Sequence, residues 1–134
     1  MRRRYGRDYE PPAPFVRITV RAPGDERTLT VDAKVDTGAD LCTLPQFVVT
    51  ELDLPGMRVV RVLGFEGEPA RVNTHLADLA LGALRLELVE IVPTGRHHAL
   101  LGRNALRHLV AHLDGPRGEL EIEEKARRRR ARHS

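Results

Sequence analysis

The sequence has no tryptophan and few other rings, with aromatic residues making up only 4% of 134 positions. A core must therefore be assembled from Leu, Val, Ile and Ala, and at this length it is one modest domain. A single cysteine, Cys42, excludes an internal disulfide and fits a reducing, cytoplasmic setting. No apolar run approaches the roughly 20 residues that a membrane-crossing helix needs, so no membrane partner is expected. The basic start, Arg2 to Arg4, leads into Tyr5 to Pro14 and not into an apolar stretch, which does not read as a secretory signal. Glycines do not gather ahead of a long helix, so no phosphate-binding loop is expected.

The overall charge of +3 conceals an acidic centre: residues 15–124 carry twelve basic and seventeen acidic side chains, a net of −5. The basic excess lies at the ends, in Arg2, Arg3, Arg4 and Arg7 and in Lys125, Arg127 to Arg130 and Arg132. Blocks of like charge are usually solvated. The reading is a flexible, basic, Pro-rich lead-in over 1–14, a folded domain over 15–124 and a disordered basic tail over 125–134. Such tails touch nucleic acid without specificity. With no aromatic residues among the C-terminal arginines, a solvated tail is preferred to a nucleic-acid partner.

Within the domain, Val16, Ile18 and Val20 alternate with Arg17, Thr19 and Arg21, and Leu29, Val31, Ala33 and Val35 alternate with polar neighbours. Both have the two-residue period of half-buried strands, and Pro23-Gly24-Asp25 between them makes a hairpin. Pro45 opens a short helix over Gln46 to Leu52. Met57 to Leu63 and Ala70 to Leu81 read as strands flanking the tip Gly64-Phe65-Glu66-Gly67. A further strand runs from Leu84 to near Pro93, and Leu100-Leu101 is a buried strand. Asn104 is placed to cap a short helix through Leu109. A last hairpin spans Val110 to Glu123, turning at Asp114 to Gly118, with Leu120 and Ile122 inward. Short strands at close spacing with two brief helices predict an all-β domain, a small closed barrel-like sheet.

The most informative segment is Val35-Asp36-Thr37-Gly38-Ala39-Asp40. A carboxylate ends an apolar strand, a hydroxyl residue follows, and Gly38 lets the backbone turn back towards the carboxylate. Taken alone, Asp-Thr-Gly is more often an ordinary turn. Other chemistry is weaker. Adjacent His97 and His98 seldom ligate one ion, and no carboxylate cluster follows at ligand spacing, so no metal is expected. Cys42 needs a histidine brought close in space to act as a nucleophile, and reads better as a small core residue.

The order of segments carries more than any one of them. An amphipathic hairpin, VDTGAD, the apolar Leu41 to Leu44, a candidate flap over Val60 to Pro69, and LLGRN at Leu100 to Asn104 together resemble the retropepsin-like, retroviral-type aspartic proteases in their bacterial, single-domain form. The resemblance implies the small closed β-barrel of that fold and a homodimeric endopeptidase. It implies a peptide or protein substrate and no cofactor. It assigns Asp36 as catalytic acid/base, Thr37 as the residue locking the two loops across the dimer, and Gly38 as the shaper of the turn. Ala39, Asp40, Leu63, Gly64, Phe65, Glu66 and Gly67 fall on the substrate-binding loop and flap, and Gly102 and Arg103 on the structural support. In that family the carboxylate after Ala39 pairs with the arginine of the Gly-Arg-Asn segment, here Asp40 with Arg103; if the pair is partly buried, its loss is costly. The rival reading is a non-catalytic dimeric peptide-binding module on the same fold.

Overall fold

The computed structural model describes residues 1–63 and 68–123. Its elements run β1 (Arg2–Arg4), β2 (Phe15–Arg21), β3 (Thr28–Val35), β4 (Cys42–Pro45), α1 (Gln46–Glu51), β5 (Gly56–Leu63), β6 (Pro69–Leu81), β7 (Leu84–Thr94), β8 (Ala99–Leu101), α2 (Arg103–Leu106), β9 (Ala111–Asp114) and β10 (Glu119–Ile122). The expected hairpin is β2 and β3, paired antiparallel from Phe15 opposite Lys34 to Arg21 opposite Thr28. Its alternation is realised as burial: Val16, Ile18 and Val20 face inward with Val31, Ala33 and Val35.

Six strands close on themselves in the order β2-β3-β8-β4-β7-β6, with β6 returning to pair with β2 between Thr19–Arg21 and Asp78–Ala80. Closure removes the strand edges that an open sheet would present. The interior is aliphatic, as the shortage of rings requires: Ile18, Leu44, Leu79, Leu81, Ile91 and Leu101 are all under 2% exposed. Helix α1 packs against β4 and β7 with Val48 and Val49 buried. Among the described residues, no helix is long and apolar enough to cross a membrane.

β6 is longer than the barrel needs. Its last half, from His75 to Leu81, pairs with β7, while Pro69 to Asn73 pairs only with β5. The two strands thus leave the barrel as an arm. On one face of that arm Val59 and Leu63 are 57% and 75% exposed, and Arg61 stands directly opposite Arg71. The connection, Gly64 to Gly67, lies outside the described residues, as does the chain from 124 onward.

The first fourteen residues depart from the flexible lead-in expected of them. Arg2–Arg4 forms a strand against β10, which pairs in turn with β9. The register sets Arg2 opposite Glu121 and Arg4 opposite Glu119, opposite charges that select this alignment but add little stability. Three consecutive arginines show no alternation of their own, so the pairing is decided by a partner more than a hundred residues away. Met1 and Tyr5 pack against the core beside Leu120 and Ile122, each 1% exposed. Removing residues 1–5 should lower Tm by roughly 5–15 °C. Changing Arg2, Arg3 and Arg4 to Gln should move it much less, since the Arg2–Glu121 ion pair is exposed; calorimetry on both variants checks this.

Candidate active site

β3 and β4 are neighbours in sequence but not in the sheet, because β8 lies between them. β8 runs parallel to β3, with Val35 opposite Leu101, and antiparallel to β4, with Thr43 opposite Leu100. The segment from Asp36 to Leu41 must therefore pass over the end of β8. The ladder extends one residue into it, as Asp36 N–H donates to the Leu101 carbonyl at 3.1 Å.

The crossing is close. A Cβ on Gly102 would lie 2.6 Å from both the carbonyl carbon and oxygen of Leu41, and 3.0 Å from the Ala39 oxygen. Only a glycine fits under this backbone. Immediately beyond it, the N–H groups that open α2 find their acceptors in the loop. Arg103 N–H donates to the Ala39 carbonyl (2.8 Å) and Asn104 N–H to the Asp40 carbonyl (3.2 Å). Each would otherwise be an orphan donor of a helix terminus.

Inside the loop, Gly38 N–H donates to Asp36 Oδ1 at 2.9 Å, and a side chain at Gly38 would begin 3.2 Å from that oxygen. Asp36 itself is half-buried, while Thr37 and Gly38 are exposed. One arm of the Arg103 guanidinium donates to the Thr37 carbonyl (2.7 Å) and another to Asp40 Oδ1. The structure thus brings Asp36, Thr37, Gly38, Ala39, Asp40, Gly102 and Arg103 into one cluster. Leu63 stands apart at the end of β5, on the arm. Gly64, Phe65, Glu66 and Gly67 lie outside the described residues. The Asp40–Arg103 pair forms, but its side chains are 83% and 55% exposed, so it belongs with surface ion pairs and not with costly buried ones.

Asn104 departs from its expected role. Gly102 occupies the N-cap, no side chain caps α2, and the helix ends at Leu106. The Asn104 amide instead bridges three elements: Oδ1 accepts from Cys42 N–H (2.9 Å) and Nδ2 donates to the Glu90 carbonyl (2.8 Å). Gly102 N–H points at Cys42 Sγ (3.3 Å), and Leu100 N–H donates to Thr43 Oγ1 (3.0 Å). These partners were not singled out from sequence. A polar residue just after Leu-Leu-Gly-Arg was the one visible signal.

Cys42 is 1% exposed, and burial pushes its thiol up to about 11. Such a sulfur is no thiolate nucleophile near neutrality. Burial, with Arg96, Lys34 and His97 nearby, also pulls the His98 imidazole below its ordinary range. The ring packs edge-on to Phe15 and Tyr9, at centroid distances of 5.3 and 6.1 Å. Among the described residues, no three His, Cys, Asp or Glu side chains gather at metal-binding distance.

Two predictions follow from the crossing. Gly102→Ala should cost about 1–3 kcal/mol by overpacking, lowering the urea midpoint. Gly95→Ala, whose added Cβ meets nothing within 4 Å, should leave it nearly unchanged. The raised Cys42 thiol contributes stability that is complete below its unfolded value and lost as pH rises through about 11. Relative to Cys42→Ala, the native chain should therefore lose roughly 2–3 kcal/mol between about pH 9 and 11, measured by denaturant titration across that range.

Comparison with known proteins agrees with this geometry. The sequence pattern described as aspartyl protease matches residues 18–105, from the middle of β2 through α2. A retropepsin-like aspartic protease from Rickettsia conorii is 16% identical, with a TM-score of 0.62 over 91% of this chain and 87% of that one. An EIAV protease, solved in complex with an inhibitor, is 15% identical, with a TM-score of 0.54 over 71% of this chain and 86% of its own. The simian foamy virus protease is 13% identical, with a TM-score of 0.50 over 68% and 91% respectively. At these identities the structures speak to the fold, which is that of the retropepsins. A search of curated sequences found no match. The sequence match spans well over half the chain and includes both the Asp36 loop and the Leu-Leu-Gly-Arg-Asn segment that braces it; the chain belongs to the aspartyl protease family.

Proposed function

We propose that the chain is an aspartic endopeptidase acting as a homodimer in which each subunit supplies one Asp36. The observation that carries this reading is the single Asp-Thr-Gly loop, which offers one half-exposed carboxylate per chain. Hydrolysis of an amide without a covalent intermediate needs two proton-transfer groups, one on each side of the reacting carbonyl. Two carboxylates about 3 Å apart share a single proton, because both cannot ionise readily, and so supply an acid and a base together. A two-fold axis passing between two copies of the loop provides that pair.

In this mechanism the ionised Asp36 takes a proton from water as the water oxygen bonds to the carbonyl carbon. The protonated Asp36 of the other subunit gives its proton to the carbonyl oxygen. The tetrahedral diol then collapses: the C–N bond breaks and the amine nitrogen takes a proton from the dyad. A diol hydroxyl proton returns to the pair, leaving acid, amine and one shared proton. Gly38 N–H holds Asp36 in place, Thr37 ties one loop to the other across the axis, and the β5–β6 arm covers an extended peptide. No metal or organic cofactor takes part.

On a diverse peptide pool, Asp36→Asn should lower kcat by about 10²–10⁴-fold while the fold, read by circular dichroism, is kept. Activity per chain should fall on dilution as dimers dissociate. Constant specific activity from a species that sediments as a monomer would overturn the shared site.

A further inference from the structure

The root of the arm is built unlike the rest of it. Between Gly56 and Val59 the register of β5 against β6 slips, so that Gly56 pairs with His75 but Val59 with Asn73. Arg58 sits in this bulge. Bulges re-aim a side chain, and this one sends the Arg58 guanidinium towards β7. There it grips the Glu90 carboxylate with two parallel bonds, Nε to Oε2 at 2.7 Å and Nη2 to Oε1 at 2.9 Å. Thr74, fully buried on β6, donates its hydroxyl to Glu90 Oε2 at 2.7 Å. The carboxylate is thus held by both strands of the arm at the point where they leave the barrel.

Glu90 is also tied in the opposite direction. Its backbone carbonyl accepts from Asn104 Nδ2, while Asn104 Oδ1 accepts from Cys42 N–H and Asn104 N–H donates to the Asp40 carbonyl. One residue therefore joins the arm, through its side chain, to the Asp36 loop, through its main chain. The side chain is only 13% exposed although Arg58 is 57% exposed. A shielded carboxylate held by a bidentate guanidinium has the geometric specificity of a clasp.

We propose that Glu90 is a positioning residue: clasped by Arg58 and Thr74, it sets the angle at which the β5–β6 arm leaves the barrel. The inference rests on the peptidase reading for its kinetic consequence, and on geometry alone for its structural one. The Arg58 hydrogen bonds keep Glu90 below its ordinary carboxylate range, burial opposing and Thr74 assisting. Its contribution is present above the unfolded value of a glutamate and is lost only as pH falls through the lowered one.

Glu90→Gln leaves the main-chain link to Asn104 in place and removes the charge that Arg58 grips. Hydrogen exchange on the whole chain should show amides of 59–63 and 70–73 exchanging about tenfold faster, with those of β2 and β3 unchanged. With a cleaved peptide, KM should rise about fivefold to tenfold while kcat stays near that of the native chain. Arg58→Lys should recover part of what Arg58→Ala loses. Arm amides exchanging at the native rate would overturn the proposal. Acceleration spread evenly through the barrel would overturn it too, because the clasp would then be general stabilisation. If the native chain cleaves no peptide, the peptidase reading fails, yet the exchange pattern still decides the clasp.

Discussion

Everything near Asp36 depends on one backbone exchange: the loop from Asp36 to Leu41 has carbonyls to satisfy, and the start of α2 has N–H groups without partners. Arg103 and Asn104 donate to Ala39 and Asp40, so each segment removes the other's deficit. The exchange requires the two backbones to touch, and they touch at Gly102. With the contact made, β8 is locked between β3 and β4, and the loop crossing it has little freedom left. Side chains then refine what the main chain has settled. Arg103 pins the Thr37 carbonyl from outside, and Asn104 pins Cys42 from inside.

The barrel supplies the rigidity this arrangement needs without aromatic bulk. Closure through the β2–β6 pairing lets many small aliphatic side chains be fully buried, since no edge opens into the interior. Cys42 belongs to this economy. It is a packing residue that also faces the Gly102 amide, and its burial, which outweighs that amide, discourages ionisation. Thr74, the buried polar residue of β6, has its partner in Glu90, whereas His98 Nε2 is buried among rings without one.

Strands whose burial alternates were legible, because a two-residue period survives in the letters themselves: the alternation read over Val16–Arg21 and Thr28–Val35 lies within β2 and β3. The Asp36 loop and its Leu-Leu-Gly-Arg-Asn brace were legible as an ordered set of segments, and the closed barrel followed from them. β1 was not legible, since its three arginines gain meaning only opposite Glu119 and Glu121. Asn104 was misread as a cap because capping is a local rule, whereas its amide answers to β4 and β7. The Arg58–Glu90 clasp was invisible for a similar reason: it depends on a bulge, which is a matter of register between strands and leaves no mark in either strand alone.

The facing arginines of the arm give it a dependence on ionic strength. Arg61 and Arg71 are exposed and directly opposed, so they repel across the ladder in a way that dissolved salt screens over about 10 Å at 0.1 M. The Glu90 carboxylate is sheltered, and its bonds to Arg58 respond to salt far less. Added salt therefore relaxes the strain in the outer arm while leaving its root fastened. The outer arm is held most loosely in dilute buffer, the reverse of the rule for elements joined by surface ion pairs.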